Sequence, residues 1–311
     1  MEKIKVEFPG LGLSFDIKDV AFSIAGLDIK WYGLLIGFAL LLCTILAMTQ
    51  SKKNKFSDDL VSEIILVGIP SAIIGARLYY VAFEWESFGG DIKKILDIRS
   101  GGLAVYGGVI GAVIGVAILC RCHKEKIPFT TVFDYCLPYI PLGQAIGRWG
   151  NFFNQEAFGT TTSLPWGMKS DTVYYYLLAH CPTLDPKSPV HPTFLYESIG
   201  DLLIFAILLL IRKKSKFAAV TGSMYMVLYG ILRFFIEGLR TDSLFIPGTS
   251  IRASQLLSVI LIVGGLVIIL ISHIRKWERL PLPESWLVPK AKAEPAAEAA
   301  ELTEGKADGE S

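Results

Sequence analysis

Apolar runs recur along this chain, separated by short charged loops. Several approach or exceed the roughly 18 residues that mark a helix able to cross a bilayer. Seven such spans are predicted: Trp31–Thr49, Leu60–Phe83, Leu103–Cys120, Val132–Ile146, Phe194–Ile211, Ala218–Ile236 and Ser254–Ile271. The fourth is the weakest pattern. Pro138 and Pro141 interrupt it and Asp134 lies near its start, which a span tolerates where neighbouring helices satisfy the freed backbone groups. The predicted fold class is all-α integral membrane. Composition agrees: 52% of the 311 residues are hydrophobic and 19% charged, against about a quarter charged in a soluble domain.

The net charge of +1 carries little information as a total; its distribution does. Basic clusters follow the first, third, fifth and seventh spans, at 51–55, 121–126, 212–216 and 273–279. Short loops rich in Lys and Arg stay cytoplasmic. The amino terminus is therefore expected outside and the carboxyl terminus inside, although Lys93, Lys94 and Arg99 lie on the opposite side.

Residues 1–30 read as an extracytoplasmic segment, since Lys3, Lys5, Asp16, Lys18 and Asp28 interrupt any signal-peptide apolar core. Residues 31–280 form the seven-span domain. Within it, 147–192 is the longest connection, and Trp166, Tyr174, Tyr175 and Tyr176 predict a small folded extracytoplasmic head. Residues 281–311 form a cytoplasmic tail, Ala/Glu/Lys-rich and expected to be disordered from about 290. Five cysteines, four of them in or beside apolar runs, do not make a disulfide framework. Cys120 and Cys122 lack a second pair at zinc spacing, so no metal site is expected.

An ionisable group inside a span costs about 2.5–3.5 kcal/mol by insertion scales and asks for a reason. Residues 229–240 read YGILRFFIEGLR. Tyr229, Arg233 and Glu237 are spaced i, i+4, i+8, and Arg240 follows Arg233 by seven, so one helical face is expected to carry all four. Either Arg233 and Glu237 form a pair that only fixes packing, or Glu237 orients Arg233 toward a ligand phosphate.

Residues 147–159 read GRWGNFFNQEAFG. Arg148, Asn151, Asn154 and Glu156 supply charge and amide groups, while Gly147, Gly150 and Gly159 permit close backbone approach. An interfacial turn with aromatic anchors is the plainer reading, but the density of distinct polar groups argues against it and for a site. Residues 101–108 read GGLAVYGG, with Tyr106 as the polar group. They lack the lysine of a phosphate loop. Gly107, Gly111 and Gly115 have the small-xxx-small spacing of tight helix packing.

Tyr32, Arg77, Tyr106, Arg148, Asn151, Tyr196, Arg233, Glu237 and Gln255 all fall toward the expected outer half, and they come from seven different spans. That arrangement predicts a polar pocket facing the outer leaflet. A transporter would show internal repeats and a midplane site. A chaperone or receptor would not need paired arginines in lipid-accessible spans.

At these residues the sequence closely resembles the prolipoprotein diacylglyceryl transferase family. The segment 147–159 is similar to that family's signature, and 191–197 (HPTFLYE), 229–240 and 101–108 fit in the same order. The resemblance covers about residues 28–275. It implies a seven-span bacterial plasma-membrane enzyme with its site toward the outer leaflet. Such an enzyme moves the diacylglyceryl group of phosphatidylglycerol onto the lipobox cysteine of a prolipoprotein. Glycerol 1-phosphate leaves and a thioether forms, the first step of lipoprotein maturation. Its partners are phosphatidylglycerol, the prolipoprotein signal peptide and the bilayer, with no cofactor, metal or nucleic acid.

By motif, Arg148 and Arg233 match arginines that hold the phospholipid head group. Asn151, Glu156, Gly159, Tyr32 and Glu237 match other residues important for activity. Tyr229 and Arg240 are expected to join the lipid site, and Tyr106 stands where some members carry His. The nucleophile belongs to the substrate, and its thiol is already a few per cent thiolate at neutral pH. The enzyme has to align thiol and glycerol carbon and to stabilise charge growing on phosphate. Tyr106 is expected to position the thiol or relay its proton. The thiol's base is left open between His191 and Glu156.

Overall fold

A computed structural model describes residues 3–24, 26–51, 58–98, 101–123 and 127–277. The expected tail 281–311, most of the basic loops 51–55 and 121–126, and Arg99 lie outside the described residues. The chain divides into two compact units, 1–45 with 130–280 and 46–129 with 281–311.

The first unit begins with strands β1 (Ile4–Phe8) and β2 (Leu13–Ile17), antiparallel in a register that runs from Ile4 opposite Ile17 to Phe8 opposite Leu13. A second hairpin follows, β3 (Val20–Ile24) and β4 (Leu27–Lys30). These strands were not part of the all-α expectation. Their alternation of charged and apolar residues has period two, which suits a half-buried strand, but the segment is too polar to register as a span. The helix α1 (Trp31–Ser51) then starts without a linker.

In the second unit α2 (Asp58–Phe83) is followed by two short helices, α3 (Trp85–Phe88) and α4 (Ile92–Leu96), and by α5 (Val105–Cys122). Here α2 and α5 touch backbone to backbone. A Cβ added at Gly75 would lie 2.4 Å from the Gly107 carbonyl oxygen, and one at Gly111 would lie 2.3 Å from that of Ser71. The glycine spacing read from the sequence thus serves close helix packing.

Back in the first unit, the weak fourth span is a broken path. It comprises α6 (Phe129–Cys136), a 3₁₀ turn at Leu137–Tyr139 and α7 (Ile140–Asn154). Pro138 and Pro141 sit at the break. The expected span ended at Ile146, with 147–154 as loop. Instead α7 continues through Asn154 and ends where the chain turns left-handed at Gln155, at φ 52°. The head contains β5 (Lys169–Ser170) and α8 (Asp171–His180), whose first turn is capped by the Ser170 hydroxyl accepting from the Val173 amide at 3.2 Å. Three helices complete the unit: α9 (Thr193–Lys214), α10 (Val220–Leu239) and α11 (Ala253–Ile274).

The amino-terminal segment and the head are one structure. β1 pairs with β5, placing Val6 opposite Ser170. One apolar cluster joins Val6, Phe8 and Ile17 to Phe158, Met168 and Leu177, and reaches Phe152 on α7 and Phe194 on α9. Helix α10 starts on a cap supplied from α6, where buried Asp134 accepts from the Gly222 amide at 2.8 Å. It packs on α11 at Gly230 and Gly265. Five helices, α1, α2, α5, α9 and α11, are long and apolar enough to cross a membrane. Leu residues 40, 41, 266 and 270 are among the large apolar side chains that these helices expose, as lipid-facing surfaces do.

Candidate active site

The site is built where α7, α9 and α10 converge inside the first unit. Glu197 lies on the second turn of α9 and is 3% exposed. Its two oxygens take one arginine each. Arg148 Nε of α7 pairs with Oε2, and Arg233 Nη1 of α10 donates to Oε1 at 2.6 Å. Arg233 Nη2 donates to Glu237 Oε2 at 2.5 Å, four residues along the same helix. Two guanidinium groups and two carboxylates therefore alternate in a chain, Arg148–Glu197–Arg233–Glu237, whose charges cancel. The terminal nitrogens of Arg148 make no hydrogen bond among the described residues, and its side chain is 20% exposed.

Buried polar groups surround this chain. Tyr225 and Tyr229 stack with ring centroids 5.5 Å apart, and the Tyr225 hydroxyl donates to Gln144 Oε1 at 3.1 Å. Asp201, one turn beyond Glu197, is fully buried, and both its carboxyl oxygens lack a hydrogen-bond partner among the described residues. The end of α10 is fixed from α11: Arg252 Nη1 donates to the Glu237 carbonyl, and Gln255 Nε2 to that of Phe234 at 3.3 Å.

The segment after α7 forms the rim. Glu156 Oε1 accepts from Asn151 Nδ2 at 2.9 Å and Asn154 Nδ2 at 3.2 Å. The turn is tight, with Gln155 and Ala157 both at positive φ (52° and 58°), and the Thr193 hydroxyl donates to the Ala157 carbonyl. Gly159 packs under α9 and α10: its amide donates to the His191 carbonyl at 2.9 Å, and a Cβ there would lie 2.7 Å from the His191 Cβ. Tyr32 of α1 lies against Gly150, where a Cβ would sit 2.6 Å from its ring. Tyr196 accepts from Trp166 Nε1 at 2.7 Å and meets His191 Nδ1 at 3.2 Å. Burial holds the His191 imidazole below its ordinary value.

Of the residues read from the sequence, Arg148, Arg233, Glu237 and Tyr229 are thus brought together. Asn151, Glu156 and Gly159 form the adjoining turn, and Tyr32 supports α7. Arg240 departs from the expected face. It caps α10 in extended conformation (ψ 144°), and its guanidinium forks onto Asp242 through Nε at 2.8 Å and Nη2 at 2.6 Å. The helix ends at Leu239, so helical spacing no longer governs residue 240. Arg77, in the second unit, donates to the carbonyls of Ile95, Gly101, Gly102, Lys94 and Asp97, which uses all five N–H groups on α4 and the loop between it and α5. Tyr106 lies in the first turn of α5, in that second unit, and is 44% exposed.

Glu197 and Asp201 were missed as site residues. The signal was available: both are carboxylates inside an apolar run, which is costly in a membrane, and Glu197 lies in one of the segments that carried the resemblance. Their four-residue spacing on α9 is the same signature that identified Arg233 and Glu237.

A family model described as prolipoprotein diacylglyceryl transferase matches residues 19–271. Among curated proteins, one from Finegoldia magna named phosphatidylglycerol–prolipoprotein diacylglyceryl transferase is 48% identical over 80% of this chain and 93% of its own length. Proteins of the same name from Clostridioides difficile and Pediococcus pentosaceus are 42% and 40% identical over 80% and 85% of this chain, and over 92% and 94% of their own lengths. With its buried arginine–glutamate chain and matches that span most of its length, this protein belongs to the prolipoprotein diacylglyceryl transferase family.

Proposed function

We propose that this chain transfers the diacylglyceryl group of phosphatidylglycerol to the lipobox cysteine of a prolipoprotein. The observation that carries the reading, beside family membership, is the pair of arginines from α7 and α10 held on one buried glutamate. The reaction forms an S–C bond to the lipid glycerol and breaks the C–O bond to phosphate. The electron pair leaves on glycerol 1-phosphate, and the thiol proton passes to solvent or to that phosphate. Charge grows on phosphate oxygen, and planar guanidinium groups in a poorly hydrated site stabilise it.

Arg148 is the first phosphate ligand in this reading, because its terminal nitrogens are unengaged. Arg233 is the second, aimed by Glu197 and Glu237 from opposite sides. Asn151 and Asn154 hold Glu156, Tyr229 lines the arginine pair, and Tyr32 and Gly159 fix the walls. Arg240 stabilises the mouth through Asp242. Tyr106 positions the incoming thiol. The base for that thiol stays open between Glu156 and His191.

Seven crossings complete the reading. The five apolar helices are joined by α10, whose charged pair is internally compensated, and by the broken α6–α7 path. Basic residues 212–214 and 273–276 lie at the carboxyl ends of α9 and α11, which supports a cytoplasmic location for those ends, with the amino terminus, head and site toward the outer leaflet of the plasma membrane.

The test incubates purified protein with phosphatidylglycerol and a lipobox-cysteine peptide. Transfer is read as a thioether-linked peptide together with glycerol 1-phosphate; absence of both rejects the activity. Arg233→Lys keeps charge but cannot span two carboxylates, and about a tenfold or greater loss of kcat/KM is expected, equivalent to about 1.4 kcal/mol. Tyr106→Phe, if Tyr106 only positions, lowers the rate without changing its pH profile.

A further inference from the structure

Trp166, Tyr196 and His191 form a hydrogen-bonded row apart from the arginine–glutamate chain, and all three lie in the first unit. The hydrogens in this row can be counted. An indole N–H only donates, so Trp166 Nε1 gives its hydrogen to the Tyr196 oxygen at 2.7 Å. The phenol keeps one hydrogen of its own, and His191 Nδ1, at 3.2 Å, is its partner among the described residues. Were Nδ1 to carry the ring hydrogen instead, two N–H groups would converge on one oxygen. The Tyr196 hydrogen would then have no acceptor among the described residues. Burial already favours the uncharged ring, and an uncharged imidazole has one hydrogen to place. With Nδ1 accepting, that hydrogen stands on Nε2. Nε2 itself makes no hydrogen bond among the described residues.

The backbone under this ring is fixed on several sides. The His191 amide donates to the Thr160 carbonyl at 3.0 Å, and its carbonyl accepts from the Gly159 and Thr193 amides, both at 2.9 Å. Val190 beside it exchanges two hydrogen bonds with Met168, at 2.8 and 2.9 Å. Trp166 sits in a turn closed by the Gly167 amide on the Leu164 carbonyl at 2.9 Å, and both Leu164 and Trp166 are exposed. An exposed apolar ridge and a half-buried imidazole with a free N–H are thus joined through Tyr196.

Their place suits a peptide. Glu197, which holds both arginines, lies six residues after His191, and α9 begins at Thr193. In the proposed orientation α9 runs inward, so His191 stands at the outer mouth of the site. The lipid phosphate already has guanidinium partners below it. A signal peptide brings apolar side chains and backbone carbonyls that need donors, and an uncharged N–H beside apolar side chains meets both needs.

We propose that Trp166 and Tyr196 are positioning residues that set the tautomer of His191, so that its Nε2–H donates to a backbone carbonyl of the prolipoprotein peptide and the ring does not serve as base for the thiol. The proposal rests on the transferase reading above. Of the two candidates for that base it leaves Glu156, whose Oε2 makes no hydrogen bond among the described residues.

The experiment has a spectroscopic and a kinetic arm, both with purified full-length protein in detergent. Long-range proton–nitrogen spectra of ¹⁵N-histidine-labelled protein distinguish protonated from bare ring nitrogens, and the signals lost in His191→Gln identify this residue. The hydrogen is expected on Nε2 in the wild type and shared between both nitrogens in Tyr196→Phe. A wild-type hydrogen on Nδ1 would overturn the proposal. In the kinetic arm the donors are phosphatidylglycerol and a lipobox-cysteine peptide. Glutamine places its amide nitrogen near the position of Nε2, and the shorter asparagine places it near Nδ1. His191→Asn is expected to raise KM for the peptide about tenfold and His191→Gln less than about threefold, the range of one hydrogen bond. KM for the lipid is expected to change less than about twofold in both. Equal peptide losses in the two variants, or a loss seen in the lipid KM instead, would overturn the proposal, as would a His191→Gln protein with no transfer. The wild-type spectrum decides the tautomer even if a variant fails to fold. No transfer by the wild type would instead overturn the transferase reading and the peptide contact with it.

Discussion

Glu197 is the residue on which the polar centre turns. It is 3% exposed and holds an arginine on each oxygen. Glu197→Gln removes its charge and leaves both guanidinium groups competing for one amide oxygen. Breaking a buried pair in this way costs about 3–5 kcal/mol, so the variant is expected to unfold at lower temperature in detergent and to lose at least about tenfold in transfer rate. A Glu197→Gln protein with wild-type thermal midpoint and rate would remove Glu197 from this role. His191 gives a pH signature. Its folded pKa lies below the ordinary 6.5, so as pH falls the unfolded chain takes up the proton first. The stability tied to the neutral ring is present above about 6.5 and is lost as pH drops below it. Thermal midpoints measured between pH 7.5 and 5.5 should fall, and His191→Gln should flatten that fall. Arg233 and Glu237 were legible in the sequence because i, i+4 spacing on a helix makes contact nearly obligatory. Glu197's link to Arg148 was not, since it joins two helices and spacing within one helix says nothing about which helices meet.

At the scale of elements, the strongly apolar helices followed the sequence and the breaks did not. α2 and α5 appear where the runs were read, and their glycines form the close contact that the spacing predicted. Gly111→Val would push a side chain against the Ser71 carbonyl, 2.3 Å from its Cβ. Overpacking of this kind costs about 1–3 kcal/mol, and the thermal midpoint in detergent should drop accordingly. α6 and α7 were read as one short span because hydropathy averages over the 3₁₀ turn at Leu137–Tyr139. The strands of the amino-terminal segment escaped because that segment is too polar to register as a span, and one partner of β1, β5, lies more than 150 residues away. Local pattern cannot register so distant a pairing.

For the whole molecule, the proposed orientation is open to direct test. Cys122 lies exposed at the end of α5, and Cys181 is half-buried after α8 in the head. In single-cysteine variants of intact cells, a membrane-impermeant maleimide should label Cys181 from outside and reach Cys122 only after permeabilisation. Burial raises the Cys181 thiol pKa, so its labelling should be slow at neutral pH and quicken in mild alkali. The reverse pattern of access would invert the topology.

The alternating chain of charges also constrains the order in which the protein is made. Arg148 is synthesised 49 residues before Glu197 and 85 before Arg233. It therefore emerges from the ribosome on a proline-broken path before its partner carboxylate exists. α9 brings Glu197 and Asp201, and only five residues, 215–219, separate it from α10, which carries Arg233 and Glu237. Charges that would each oppose insertion alone are thus delivered to the translocon as a hairpin, with Glu197 and Arg233 available to each other on arrival. A nascent chain arrested just after α9 should hold α6–α7 loosely at the insertion channel, and extension through α10 should release it into the bilayer. Cross-linking of Arg148-region probes to the channel at successive chain lengths would record that change. In the proposed seven-crossing topology, the carboxylate that pairs with both arginines would then also decide when the α6–α7 path becomes a permanent crossing.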